Sequence, residues 1–248
     1  MDNEFWAFVS KKAEETFIRP KRLYPWDSIV QGVTVCKSDG TTERMYAVAK
    51  NTWRAHHRKD TPRTGSSKIF MDFFSNNKNK ILNGLQGVKN RSNLHEVANS
   101  WVSEIRPKLS NVKTHILNSY NSIRKPIDLY FYNLVSMAVE VPNETRSFLI
   151  PILFLPVDSQ ILGIFSLERN QEFGIFSYNQ LRVFGLTHQS SYGHVKTEDT
   201  YNKLQDIITI RAKEISECCS APFYPIYFEM LWNERYKRTG GNIFELNP

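Results

Sequence analysis

The spacing of apolar residues changes at about Val139, and this change constrains the fold more than any other feature of the sequence. Over residues 93–138, directly upstream, apolar residues recur every three or four positions, which is the period of an amphipathic helix. Downstream, as far as Leu186, they form short runs separated by turn-forming residues, which is typical of strands. A chain that joins both patterns predicts an α+β fold.

Six segments have a helical pattern. In the first, apolar residues from Phe5 to Phe17 recur every four positions, and Asp2 or Asn3 can cap the N-terminus. Pro126 precedes the fourth segment, whose aromatic residues also fit a strand. The predicted helices are 3–18, 93–105, 110–124, 127–138, 197–217 and 222–236.

Strand patterns occupy two regions. Residues 29–36 and 44–49 flank an Asp-Gly turn, and they predict a hairpin because both turn residues tolerate positive φ. The other predicted strands are 146–155, 161–168 and 173–178, extended by 181–186. Joined by tight connections, these strands predict an antiparallel β-meander. We therefore expect one α+β domain over residues 1–248, in which hairpins and the antiparallel β-meander pack with several amphipathic helices.

Positive charge is concentrated between Arg54 and Arg91. This segment holds nine Lys and Arg residues against two Asp residues, and the difference of seven equals the net charge of +7 of the whole chain. Clustered cations bind polyphosphates because each neutralised phosphate releases condensed counterions. Residues 54–67 lack an apolar period and contain Pro, Gly and Ser, so an exposed basic loop is expected within the insertion at 54–91. The predicted nucleic-acid-binding residues are Arg54, His56, His57, Arg58, Lys59, Arg63, Lys68, Lys78 and Lys80.

Asp158 and Glu168 form an incomplete nuclease pattern. Asp158 precedes the predicted strand 161–168 and Glu168 ends it. This resembles the PD-(D/E)xK arrangement, in which two carboxylates hold Mg²⁺ and the metal activates water. Asn170 occupies the position where that pattern has Lys. The pattern makes Asp158 and Glu168 candidate catalytic residues and metal ligands, with Mg²⁺ as the expected cofactor. The simpler interpretation is a turn Asp and an exposed Glu at a strand end.

His188 and His194 lie in one polar stretch with Tyr192 and Lys196. One His can accept a proton while the other donates one, and Lys196 would stabilise developing negative charge. This stretch predicts metal-free acid–base catalysis on a phosphate or glycosidic bond, with His188 and His194 as the catalytic residues. The simpler interpretation is a surface loop that leads into the helix at 197–217.

Several protein classes lose support. The chain has no glycine-rich phosphate-binding motif, HExxH zinc motif or GxSxG elbow. Its three cysteines include an adjacent pair and make no disulfide framework, which is typical of a reducing compartment. The N-terminus lacks the pattern of a signal peptide, and Pro151 and Pro156 interrupt the longest apolar run. We therefore expect a soluble cytoplasmic protein without a membrane partner.

Together these patterns predict a nucleic-acid-binding protein that acts on DNA rather than RNA. Its expected enzymatic form is an endonuclease of the restriction or phage-defence type, and a homodimer is a further expectation. Two alternatives stay open. One is a non-catalytic nucleic-acid binder, such as a regulator or a viral nucleoprotein, and the other is a protein-interaction module whose basic loop binds an acidic partner.

Overall fold

The computed structural model of the protein describes residues 2–36, 39–56, 65–110, 112, 114–164 and 174–237. Within these ranges most of the chain is helical, and one pair of short strands forms an antiparallel sheet. The strands are β1 (Val33–Cys36) and β2 (Thr42–Met45). The α-helices are α1 (Asn3–Ala13), α2 (Trp26–Gln31), α3 (Ser66–Asn76), α4 (Lys78–Gln86), α5 (Arg91–Ile105), α6 (Thr114–Leu117), α7 (Tyr120–Met137), α8 (Asn143–Leu149), α9 (Tyr178–Val183) and α10 (Glu198–Cys219).

Helix α7 is the centre of the fold. All of its residues except Leu129 are buried, and it packs against α2, α5, α6, α8 and α10. A globular helix normally keeps a polar face toward water, so a helix buried on all sides needs partners for its polar side chains inside the protein. Those side chains include Arg124, Lys125 and Asp128.

Helix α7 runs through Pro126, where the sequence predicted a boundary between two helices. The prediction of separate helices at 110–124 and 127–138 is wrong, because α7 already begins at Tyr120 and only α6 precedes it. A Pro inside a helix costs about 3 kcal/mol. Each large apolar side chain buried by α7 contributes about 1.5–3 kcal/mol, so packing outweighs the local preference.

The helices predicted near the two ends of the chain are confirmed. Asp2 caps α1 with its side chain, and the helix continues as the π-helical turn Glu14–Ile18. Thr197 caps α10, as its sequence predicts. The segment predicted as the last helix, 222–236, forms two 3-10 helices in place of one α-helix, and these are Pro225–Met230 and Trp232–Lys237.

The hairpin predicted in the first quarter of the chain is confirmed in a shorter form. Strands β1 and β2 pair in antiparallel register, with Val33 opposite Met45. The turn between them contains Gly40 at a positive φ of 79°. The strand predicted at 29–36 begins later than expected because α2 occupies its first residues.

The β-meander predicted after Val139 is wrong in its described part. Residues 146–155 contain the end of α8 and the 3-10 helix Ile150–Ile152. The predicted strand at 161–168 begins as part of the π-helical segment Gln160–Ile164, and its remainder lies outside the described residues. In place of a strand that reaches Tyr178, the chain starts helix α9 there. Short apolar runs suit a buried helix as well as a strand, so periodicity alone did not decide between them.

Arg146 explains why α8 forms where a strand was predicted. Its side chain is buried and donates hydrogen bonds to the carbonyl oxygens of Val135, Ala138 and Val141 at 3.0, 3.0 and 3.1 Å. These carbonyls lie at and just beyond the C-terminal end of α7, where a helix leaves its acceptors unpaired. Arg146 therefore holds α8 against the end of α7. In the ranges that the structure describes, no helix is both long and apolar enough to cross a bilayer.

Candidate active site

A cavity of about 400 Å³ opens beside α7. Its walls come from the segment after β2, from α7, from the turn at Asp158 and from the two C-terminal 3-10 helices. Its size falls in the range of about 300–1,000 Å³ that is usual for small-molecule sites, and such sites combine an apolar wall with a few converging polar groups. The aromatic wall residues are Tyr46, Tyr132, Tyr192 and Trp232, and the charged ones are Lys125, Asp158, Glu229 and Arg235.

Lys125 and Asp158 face each other in this cavity. The Nζ atom of Lys125 lies 3.2 Å from Oδ2 of Asp158, and the two side chains are only 9% and 17% exposed. The same Nζ lies 4.9 Å from the centre of the Tyr192 ring. A partly desolvated lysine beside a proton acceptor can act as a nucleophile once its proton has been transferred.

The local sequence fixes the orientation of Asp158. Its second carboxylate oxygen, Oδ1, accepts hydrogen bonds from the backbone N–H groups of Gln160 and Ile161 at 2.9 and 3.0 Å. The preceding carbonyl, that of Val157, accepts a hydrogen bond from Nδ2 of Asn121 at 2.9 Å, which ties the turn to α7. One oxygen of Asp158 thus caps the following helical turn, and the other is left for the lysine.

A second charged pair, Glu229 and Arg235, lies in the wall of the cavity. Nη1 of Arg235 is 2.8 Å from Oε2 of Glu229 and 3.4 Å from the hydroxyl of Tyr132. Burial raises the pKa of Glu229 against the opposing charge of Arg235, and the negative charge of Asp158 adds to the rise. The charges of Glu229 and Asp158 therefore interact across the cavity wall. Nε of Arg235 is buried and has no hydrogen-bond partner in the described part of the chain.

A buried ionic network surrounds Arg124 and Asp128, which lie on a different face of α7 from Lys125. Nε of Arg124 donates to Oδ1 of Asp128 at 2.7 Å, and the hydroxyl of Tyr201 donates to Oδ2 at 2.6 Å. Nη1 of Arg124 lies 3.2 Å from Nδ1 of His95. A guanidinium only donates, so Nδ1 of His95 accepts from it, and Nε2 of His95 lies 2.8 Å from Oε1 of Glu198. This network joins α5, α7 and α10 behind the cavity.

The structure describes three of the four predicted catalytic residues and places them differently. Asp158 lines the cavity. His188 and His194 do not; His188 is half-buried, with its ring 5.8 Å from that of Tyr178, and His194 is exposed. Their loop contributes Tyr192 to the cavity instead.

Of the two predicted metal ligands, the structure describes only Asp158. Glu168 lies outside the described residues, so its pairing with Asp158 stays a prediction. Among the residues that are described, no group of three His, Cys, Asp or Glu side chains is arranged to hold a metal ion. The neighbour of Asp158 that the structure does show is the amine of Lys125.

The basic segment is partly neutralised where it is described. Lys68, Lys78 and Lys80 each form an ion pair, and their partners are Asp72 at 2.8 Å, Glu140 at 2.7 Å and Glu104 at 2.5 Å. His56 is buried beside Trp53, with ring centres 5.6 Å apart. The side chain of Arg54 and the residues His57, Arg58, Lys59 and Arg63 lie outside the described part of the chain.

Two other cations lie close to the cavity. Arg44 and Lys50 are 5.9 and 5.3 Å from the ring centre of Tyr46, which lines the cavity. Both are exposed, and neither forms an ion pair with a described carboxylate. They are therefore available to an anionic ligand, although they fall outside the segment that the sequence singled out.

Sequence reasoning missed Lys125, Glu229 and Arg235. Lys125 falls at the predicted boundary between two helices, and the other two lie in an aromatic segment that predicts only an amphipathic helix. A signal was present for Lys125, because Arg124, Lys125 and Asp128 are charged residues inside a segment that is mostly apolar and aromatic as far as Met137. Charged residues buried in this way need partners or a function.

Comparisons with known proteins return no family model, no curated protein and no solved structure that matches this chain.

Proposed function

We propose that the protein acts on DNA as a glycosylase with strand-cleaving activity, and that Lys125 is its nucleophile. The observation that supports this most directly is the contact of Lys125 with Asp158 inside an aromatic-walled cavity. An enzyme that reacts with one nucleotide of a duplex first extrudes it into a pocket, where aromatic side chains stack on the base. The cavity supplies the pocket, the rings and an amine.

The reaction follows from the position of the amine. Lys125 transfers a proton to Asp158, and Nζ attacks C1′ of the extruded deoxynucleotide. The bond between C1′ and the base breaks, and the base leaves with the electron pair and takes up a proton. Before the new bond is complete, C1′ carries positive charge, which the carboxylate of Asp158 stabilises once its proton has passed to the leaving base.

Strand cleavage requires no further group. Opening of the sugar ring gives an imine between Lys125 and C1′. This imine acidifies the hydrogen on C2′, and the carboxylate of Asp158, which has already given its proton to the leaving base, takes up that proton. The electron pair of the C2′–H bond forms a C2′–C3′ double bond, and the 3′ phosphate leaves with the electrons of its bond to C3′, which breaks the strand. Water then hydrolyses the imine and returns the lysine. The predicted endonuclease activity would in this way arise from an elimination.

Charge supports an anionic polymer as the substrate. The chain has a net charge of +7, and beside the cavity neither Arg44 nor Lys50 pairs with a carboxylate that the structure describes. Clustered cations of this kind bind phosphates by releasing counterions. The preference for DNA over RNA has a chemical reason, since deoxyribose lacks the 2′-hydroxyl and its C1′–base bond breaks more readily.

The Mg²⁺-dependent endonuclease expected from Asp158 and Glu168 stays a prediction, and it competes for the same carboxylate. In the described structure both oxygens of Asp158 already accept hydrogen bonds, from Lys125 and from two backbone N–H groups. A metal at this position would share the carboxylate with Lys125, whose positive charge would oppose it. The non-catalytic binder and the protein-interaction module stay predictions as well.

A duplex that contains one abasic site tests the proposal. Such a site offers its C1′ aldehyde to an amine whatever base was removed, and borohydride reduces the imine to a permanent link. We expect a covalent protein–DNA adduct from the wild type in EDTA and none from Lys125→Gln. Lys203→Gln is the matched control, because Lys203 is an exposed lysine of α10 that pairs with Asp199.

Two results would contradict the proposal. One is an adduct of equal yield from Lys125→Gln, and the other is no adduct from wild-type protein that binds the duplex. Strand cleavage that disappears in EDTA would favour the carboxylate nuclease, and a salt-sensitive gel shift without cleavage would favour the non-catalytic binder. Duplexes with uracil, an oxidised guanine or an alkylated purine then identify the base.

A further inference from the structure

A second cavity of about 550 Å³ adjoins the first one. Its wall is apolar at Val48, Trp53 and Met71. Tyr46 and Asn51 line both cavities, so the half-buried ring of Tyr46 stands between the two spaces. If one unit of a polymeric ligand entered the first cavity, the adjoining part of the polymer would pass this ring.

Two cations lie near the ring of Tyr46. The guanidinium of Arg44 lies 5.9 Å from its centre, and Nζ of Lys50, which lines the second cavity, lies 5.3 Å away. Neither cation is neutralised by a described carboxylate. Lys68 is different: it lines the second cavity together with Lys50, but it pairs with Asp72.

The hairpin is built to hold these side chains together. Arg44 and Tyr46 are two residues apart at the end of β2, which places them on the same side of the chain. Both lie over Gly32, where a Cβ atom would be 3.1 Å from Nε of Arg44 and 3.0 Å from Cδ1 of Tyr46. Gly32 also has a φ of 103°, which other residues rarely adopt. A glycine at this position therefore leaves room for both side chains to approach the backbone closely.

We infer that Arg44, Tyr46 and Lys50 form a strand-binding platform for the DNA next to the extruded nucleotide. The ring of Tyr46 stacks on the neighbouring base, which is locally unpaired, and the two cations bind the phosphates on either side of it. Proteins commonly hold single-stranded nucleic acid with aromatic rings that stack on the bases and with cations that bind the phosphates. The inference rests on the proposed function, which places a DNA strand across the mouth of the first cavity.

Fluorescence anisotropy with an abasic-site duplex, measured at several salt concentrations, tests the platform. Tyr46→Leu should raise Kd by about tenfold or more and leave the slope of log Kd against log salt unchanged, because it removes stacking without removing charge. Arg44→Gln and Lys50→Gln should each lower the magnitude of that slope by about one, because each removes one phosphate contact. Tyr46→Phe keeps the ring and should bind like the wild type.

Tyr178 and Arg182 on α9 supply the matched control, because this ring also has a cation beside it, at 5.9 Å. Tyr178→Leu and Arg182→Gln should leave both Kd and slope unchanged. Thermal unfolding shows whether each variant is folded. Leu is used at position 46 because its apolar side chain preserves part of the packing that the Tyr ring provides.

The outcomes separate the platform from the proposed function. If Tyr46→Leu, Arg44→Gln and Lys50→Gln bind like the wild type while wild-type protein still forms the borohydride adduct, the platform is wrong and the role of Lys125 stands. If the three substitutions weaken binding as described but no adduct forms, the role of Lys125 is wrong and the platform stands. Equal weakening by the α9 substitutions would also overturn the platform.

Discussion

Arg124 and Lys125 are consecutive residues of α7, yet they bind carboxylates on different faces of the helix. Arg124 reaches Asp128 at 2.7 Å in the protein interior, and Lys125 reaches Asp158 at 3.2 Å in the cavity. Successive side chains of a helix point about 100° apart, which allows this division. The buried network on one face thus fixes the helix that presents the amine on another face.

The network should be essential for stability. We expect Arg124→Met to lower the free energy of unfolding by about 3–5 kcal/mol, because Asp128 stays buried without its cation. Urea denaturation measures the change, and Arg182→Met, at an exposed arginine of α9, is the control. Combining Arg124→Met with Asp128→Leu should recover part of the loss. A single substitution that costs about as little as a surface change would count against the network.

The stability of the network should also depend on acid pH through Glu198. Hydrogen bonds from His95 and Asn99 lower the pKa of Glu198 below its ordinary value of 4.5. Its contribution is therefore present above that value and is lost as the pH falls through the lower folded pKa. Because Glu198 is half-exposed, we expect about 1 kcal/mol or less.

The comparison of wild type with Glu198→Gln tests this dependence. Urea denaturation from about pH 7 to pH 3 should give a stability difference that is largest at the upper end and shrinks toward the lower end. A difference that is the same at every pH would show that Glu198 gains no stabilisation from its charged form.

Asp158→Asn should slow the reaction. The amide cannot take the proton of Lys125 or balance positive charge at C1′, so we expect the single-turnover rate to fall by about a hundredfold or more. Asp199→Asn, at an exposed position of α10, is the control. An unchanged rate in Asp158→Asn at saturating DNA would remove Asp158 from the mechanism.

Cations that already have carboxylate partners should contribute less to DNA binding than free ones. Lys80→Gln removes a cation paired with Glu104 at 2.5 Å, whereas Lys50→Gln removes one that has no partner among the described carboxylates. We expect the magnitude of the slope of log Kd against log salt to change by well under one for the first and by about one for the second. The opposite order would favour the basic segment predicted from the sequence.

The parts of the fold that the sequence predicted are those with a local cause. The apolar stripe and capping residues of α1 and α10 lie within each helix, and the Asp-Gly turn of the hairpin is a local signal as well. Helix α8 depends on Arg146 reaching the end of α7, and α7 depends on neighbours that bury it through Pro126. Such long-range causes do not appear in the periodicity of one segment.

The site was predicted in part and for a different reason. Asp158 was selected as a metal ligand, and the structure places its carboxylate beside Lys125. Neither Lys125 nor the pair of Glu229 and Arg235 belongs to a sequence motif, because residues from α7, the turn and the C-terminal 3-10 helices meet only in the folded chain. The regional excess of charge likewise does not show which cations pair with carboxylates.

The position of the covalent link between protein and DNA tests the central claim most directly. The adduct trapped with borohydride on an abasic-site duplex would be digested with trypsin and nuclease, and its peptides sequenced by mass spectrometry. We predict that the remnant of the sugar is attached to Lys125, in a peptide that trypsin fails to cut at that residue. Attachment at another lysine or at the N-terminal amine would contradict the account.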